Sequence, residues 1–161
     1  MNYFKLTYPD INNGLGCRVT VWITGCSHNC FGCHNSALQD FSLGKAWNDN
    51  IKQKLYEILS LPYIDGVTFS GGDPMYSHKD LLPLCQEIKQ KFPQKNIWLY
   101  TGFLFEEIKT LDIMKYIDVL CDGPFVEKLK DTNLPFKGSS NQRLIDVQSS
   151  LKFDKIILFN N

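Results

Sequence analysis

The sequence predicts an α/β fold built on a mostly parallel sheet that closes only part of a barrel, and three observations carry that reading. β-rich runs alternate with stretches whose apolar residues recur at helical spacing, a pattern that calls for right-handed crossovers between parallel strands. The 161 residues are too few for a complete eight-unit barrel, which takes about 250, so the barrel is shortened and open. Each of the four clearest strands stops at glycine, at Gly25, Gly71-Gly72, Gly102 and Gly123. In a parallel sheet those ends share one rim, where such proteins bind their ligands.

The first strand covers residues 18–24, a Val- and Thr-rich run. Trp47, Ile51, Leu55, Ile58 and Leu59 then mark a helix with Asn48 or Asp49 as N-cap and Trp47 at a core-facing position. Residues 66–70 form the second strand. Leu81, Leu84, Cys85, Ile88 and Phe92 share one face of the next helix, with Pro83 in its first turn, where backbone N–H groups have no intrahelical partner. Residues 96–101 form the third strand, a short helix lies around Phe105, Ile108 and Leu111, and residues 117–121 form the fourth strand. Residues 124–141, rich in Pro, Gly, Ser and Asn, read as loop, and residues 155–159 as a last strand.

Composition narrows the function classes. With 43% hydrophobic residues the chain reads as one core-forming domain over residues 1–161, long enough to fold without a disulfide or metal staple. Any metal is then there for chemistry. Seventeen basic residues balance 17 acidic ones, which excludes a nucleic-acid partner bound through its phosphates. No apolar run approaches the 18 to 20 residues (roughly) that span a bilayer, and the first residues lack a secretory n-region. A cytoplasmic protein with no membrane contact is expected. Its six cysteines then face a reducing medium, where a tight cluster means metal or redox chemistry.

That cluster is Cys26-Ser27-His28-Asn29-Cys30-Phe31-Gly32-Cys33, a C-x₃-C-x₂-C loop directly after the first strand. Soft thiolates suit iron–sulfur, zinc or Cu(I). A [4Fe–4S] cluster normally takes four cysteines, so three leave one iron open to a substrate. A zinc knuckle with His28 or His34 as fourth ligand is the alternative, against which stands the lack of a second short-spaced pair. Cys17, Cys85 and Cys121 are isolated and read as small buried hydrophobes.

The cysteine loop resembles that of the radical S-adenosylmethionine (SAM) enzymes. Asn13-Gly14-Leu15-Gly16-Cys17-Arg18, Thr24-Gly25-Cys26-Ser27-His28-Asn29-Cys30, Ser70-Gly71-Gly72-Asp73-Pro74, Asp122-Gly123-Pro124-Phe125-Val126 and Gly138-Ser139-Ser140-Asn141-Gln142-Arg143 together resemble the activating proteins of anaerobic ribonucleoside-triphosphate reductases. The resemblance implies the partial barrel of the radical SAM type and one [4Fe–4S] cluster on Cys26, Cys30 and Cys33. It implies SAM at the open iron, with Gly71, Gly72 and Asp73 at its amino end and Gly32, Cys33 and His34 near its adenosyl group. Reductive cleavage of SAM then yields a 5′-deoxyadenosyl radical that installs a glycyl radical on the large subunit of the reductase, with a reduced flavodoxin-type donor supplying the electron.

His34 departs from the tyrosine common in this family, and Cys33-His34-Asn35 is similar to the pyruvate formate-lyase activating enzymes, which are the nearest alternative. An iron–sulfur electron carrier and a zinc-binding interaction module are alternatives of another class. His28 is expected to order the loop and His78 to be exposed. Asp122 faces either the sulfonium (or another cation) or merely caps its turn. The Gly138 to Arg143 stretch is an anion-holding nest, a docking loop or a polar surface turn. So short a chain has little room to enclose a large substrate, which suits a glycine presented by another protein.

Overall fold

The structure, a computed structural model, describes residues 1–160. Asn161, the end of the span read as one domain, lies outside the described residues. The elements are β1 (Asn2–Asp10), β2 (Arg18–Ile23), β3 (Lys45–Ala46), α1 (Asp49–Leu59), β4 (Gly66–Gly71), α2 (His78–Lys91), β5 (Asn96–Tyr100), α3 (Phe105–Ile108), β6 (Val119–Asp122), β7 (Arg143–Asp146) and α4 (Val147–Phe153). One open sheet runs β3-β1-β2-β4-β5-β6-β7. Its centre, β2, β4, β5 and β6, is parallel as the sequence predicts. Antiparallel pairings add β1 and β3 on one flank and β7 on the other. Among the described residues no helix is long and apolar enough to cross a membrane.

Several local expectations need correction. Residues 155–159 are not a strand: they follow the β7 edge through two backbone bonds, Asp146 N to Ile157 O and Phe159 N to Leu144 O, and make a single bridge between Ile145 and Leu158. Trp47 is not in α1 but precedes it, since the N-cap is Asn48; it still faces the main core as expected and packs edge-on against Tyr3 at 5.6 Å. Pro83 lies well inside α2, because a 3-10 turn at Pro74–Ser77 leads straight into a helix that begins at His78. The carbonyl it leaves without a helix partner belongs to Lys79, which is exposed to solvent. His78 is half-buried and its Nδ1 bonds the Met75 carbonyl at 2.9 Å.

Alternation along the strands divides the sheet into two unlike faces. Val19, Val21, Ile23, Val67, Phe69, Ile97, Leu99 and Leu120 join Leu55, Leu59, Leu81, Leu84 and Ile88 in the main core, so α1 and α2 cover one face. The intervening positions carry Arg18, Thr20, Thr68, Ser70, Asn96 and Tyr100. A face this polar cannot be sealed by an apolar helix. Towards β6 and β7 it closes with a smaller cluster of Trp98, Val119, Cys121 and Leu144, onto which Phe136 and Phe159 pack.

Arg18 holds the other end of this face and accounts for the Asn13 to Arg18 motif. The side chain is buried, and all its donors are used: Nε to Thr68 Oγ1 at 2.7 Å, Nη1 to Leu15 O and Asn96 Oδ1, and Nη2 to Val67 O and Asn96 O. Its guanidinium stacks on Trp98 at 5.1 Å. Burial lowers its pKa to about 10, which leaves it charged at neutral pH. Gly14, at φ +130°, passes so close to Arg18 and Trp98 that a Cβ has no room. Arg18→Met strands these acceptors in the interior. It is expected to cost about 3 kcal/mol and to lower Tm by roughly 10 °C in a chain of this size. Thermal denaturation followed by circular dichroism measures it, and a wild-type Tm contradicts the assignment.

Candidate metal centre

The parallel strands end together, and there a cleft of about 440 Å³ opens. One wall carries Cys26, Cys30, Cys33 and His34 from the loop after β2. The floor is built from the turns after β4, β5 and β6, at Gly71, Gly72, Asp73, Thr101, Gly102 and Gly123. The opposite wall comes from the loop between β6 and β7, with Phe125, Lys130, Phe136 and Lys137. The volume falls in the range typical of small-molecule sites.

The cysteine loop is held by backbone bonds at its root. Gly25 N donates to Leu38 O at 2.8 Å and Cys26 N to Gln39 O at 3.0 Å, while Asp73 N donates to Gly25 O at 2.9 Å. Gly72 must be glycine, because a Cβ there would lie 2.6 Å from the Gly25 carbonyl oxygen and 2.7 Å from that of Leu38. The turn after β4 is thereby pressed directly against the cysteine loop.

Asp73 makes the second attachment. Its Oδ2 takes His28 Nε2 at 2.8 Å, Thr101 Oγ1 at 2.9 Å and Gly102 N at 2.9 Å, and its Oδ1 accepts from Met75 N at 2.9 Å. The hydrogen bond to Asp73 raises the His28 pKa against the opposing effect of burial. The His28 ring packs edge-on against Phe103 and Tyr76, and Gly102 leaves it the space it needs. His28 therefore orders the loop, as its sequence context suggests.

The donor set fits a multinuclear cluster. Among the described residues, the one group of three metal-capable atoms within 4.8 Å of one another is Cys26 Sγ with His28 and Asp73. The three loop sulfurs are spread more widely than the roughly 4 Å that Zn–S bonds of about 2.3 Å impose on a tetrahedral ion. His28 and Asp73 are bonded to each other, so an ion seated on them would break the joint that holds the loop. Burial raises the Cys26 thiol pKa, which favours the neutral thiol unless a cation is bound. Cys85 and Cys121 lie in the core, where burial pushes their thiols up to about 12. Cys17 packs half-buried against the main core.

The remaining sequence candidates divide. Gly71, Gly72, Asp73, Cys33 and His34 all line the cleft, whereas Gly32, at φ +73°, sits against Glu127 outside that lining. Asp122 is fully buried and serves as a cap: it accepts from Phe105 N at 2.8 Å and grips Arg143, which also holds Glu106. Gln142 accepts from Gly138 N and Ser139 N and donates to Gly123 O, while Asn141 donates to Pro124 O. The Gly138 to Arg143 stretch thus fixes the far wall to the turn after β6. Phe125 comes from the Asp122 to Val126 motif, with no role expected of it, whereas Tyr100, Lys130 and Lys137 were not among the expected site residues. Of these three, only Tyr100 carries a sequence signal, since it is in phase with Asn96 and Trp98 beside Gly102.

Residues 12–145 match the family described as a 4Fe-4S single cluster domain. The chain is 42% identical to the anaerobic ribonucleoside-triphosphate reductase-activating protein of Enterobacteria phage T4, over 89% of this chain and 93% of that one. It is 38% identical to the protein of that name from Haemophilus influenzae and 36% identical to the one from Escherichia coli, in both cases over 88% of this chain and 96% of the relative.

Proposed function

This chain belongs to the anaerobic ribonucleoside-triphosphate reductase-activating protein family, and we propose that it is a radical SAM activase which installs a glycyl radical on the large subunit of such a reductase. The observation that carries the proposal is the placement of Cys26, Cys30 and Cys33 on one wall of a cleft whose floor is made of glycine turns. When bound, a [4Fe–4S] cluster and SAM supply a 5′-deoxyadenosyl radical able to take an α-hydrogen from glycine.

The chain's own residues bind, orient and exclude water. Cys26, Cys30 and Cys33 would hold the cluster, and with no fourth cysteine lining the cleft it would keep a position open to SAM. Gly71 and Gly72 admit the amino end of SAM close to backbone, while Cys33 and His34 belong to the adenosyl side and Gly32, outside the cleft lining, shapes the loop behind them. Both Asp73 oxygens already serve protein donors, so an ammonium at this turn relies chiefly on main-chain carbonyls. We read residues 1–161 as one shortened radical SAM barrel acting in the cytoplasm, with a flavodoxin-type donor. Phe31, 86% exposed on the cysteine loop, offers a partner protein an apolar contact. Activation of pyruvate formate-lyase is the second reading, favoured by Cys33-His34-Asn35.

Anaerobic reconstitution tests the proposal. The expected result is about four irons per chain, an EPR signal of the reduced cluster that changes on adding SAM, and a glycyl-radical doublet with the reductase. Stoichiometric zinc without iron uptake overturns it. A doublet with pyruvate formate-lyase alone transfers the activity to the second reading.

A further inference from the structure

Tyr100 ends β5 on the polar face of the sheet and is one of the residues that line the cleft. Its hydroxyl is buried and, among the described residues, is the one buried side-chain nitrogen or oxygen with no hydrogen-bond partner. The polar side chains of the neighbouring strand positions are already committed. Thr101 Oγ1 donates to Asp73, Thr68 Oγ1 to Asn13 O, Thr20 Oγ1 to Asp10, and the five Arg18 donors are used. Directly across on β6 lies Cys121, a buried thiol.

An orphaned buried hydroxyl costs about 1–3 kcal/mol. A cost of that size, at the wall of a cleft, marks a group set to meet a ligand. Burial, more than any neighbour, drives the phenol pKa far above its ordinary value, so the group stays protonated and can donate. Of the two charged side chains that act on the phenol, Arg18 outweighs Asp10, so the positive potential on this face favours an oxygen acceptor.

We propose that the Tyr100 hydroxyl donates a hydrogen bond to an oxygen acceptor of SAM, a carboxylate or ribose oxygen, making Tyr100 a substrate-binding residue. The inference rests on reading the cleft as a SAM site.

Tyr100→Phe removes one oxygen and keeps the ring. In cluster-loaded protein with matched iron content, two quantities are compared with wild type: Tm without SAM, and the Kd for SAM by anaerobic equilibrium dialysis. The proposal expects Tm to hold or rise, because the unsatisfied hydroxyl is gone, and Kd to weaken about tenfold, equivalent to about 1.4 kcal/mol. A purely structural hydroxyl, bonded within the fold or to a fixed water, gives the reverse: a lower Tm with SAM affinity unchanged. Either a fall in Tm or an unchanged Kd overturns the proposal. Wild type that takes up iron but binds no SAM overturns the reading of the cleft itself, and the wild-type arm separates the two failures.

Discussion

Replacing any one of Cys26, Cys30 or Cys33 with alanine is expected to abolish SAM cleavage, while Cys85→Ala and Cys121→Ala leave it in place. The three loop cysteines share one cleft wall, and the fold offers no substitute sulfur there, because Cys85 and Cys121 are in the core. His28 cannot take over, being bonded to Asp73 at 2.8 Å. Loss of even an outer-shell partner costs a metal site about 10- to 100-fold, so loss of a ligand is expected to cost more than about 100-fold. Iron per chain and the yield of 5′-deoxyadenosine under anaerobic reduction measure it. Cys85→Ala opens a small cavity in the main core, which lowers Tm but leaves iron content alone. If all five variants lose iron alike, the ligands lie elsewhere.

What the sequence made legible and what it hid follow from the range of the interactions. β2 and β4 were readable because Val19, Val21, Val67 and Phe69 form β-rich runs that stop at glycine. β1 was not, since its half-exposed residues follow no period-2 pattern. β7 is four residues with only Leu144 and Ile145 buried, too short to show a period, so the end of the chain was assigned a strand it does not have. At the site, the cysteine spacing is local and survives in the sequence. The joint between His28 and Asp73 spans 45 residues and leaves no local pattern. Asp122 offered two readings because its partner, Arg143, comes from a different strand. Gly32 does not line the cleft with its neighbours Cys33 and His34, and the space a side chain would need there is filled by Glu127.

Asp73→Ala is expected to loosen the cysteine loop from the glycine rim and so to lower stability and iron retention together. Asp73 is 2% exposed, and its four donors come from three segments: the loop after β2, the 3-10 turn after β4 and the end of β5. Alanine leaves all four without an acceptor, and removing one partner of a buried charged network costs about 3–5 kcal/mol. In a chain of this length that lowers Tm by roughly 10 °C or more. Asp73→Asn separates acceptor geometry from charge. An amide turned with its oxygen towards His28, Thr101 and Gly102 keeps three of the bonds and loses the one from Met75. It should therefore lose about half as much stability and hold its iron. Equal losses for Asn and Ala would mean that negative charge beside a protonated His28 carries the joint. An alanine variant with wild-type Tm and iron content would remove Asp73 from the scaffold and leave it only a role towards the ligand.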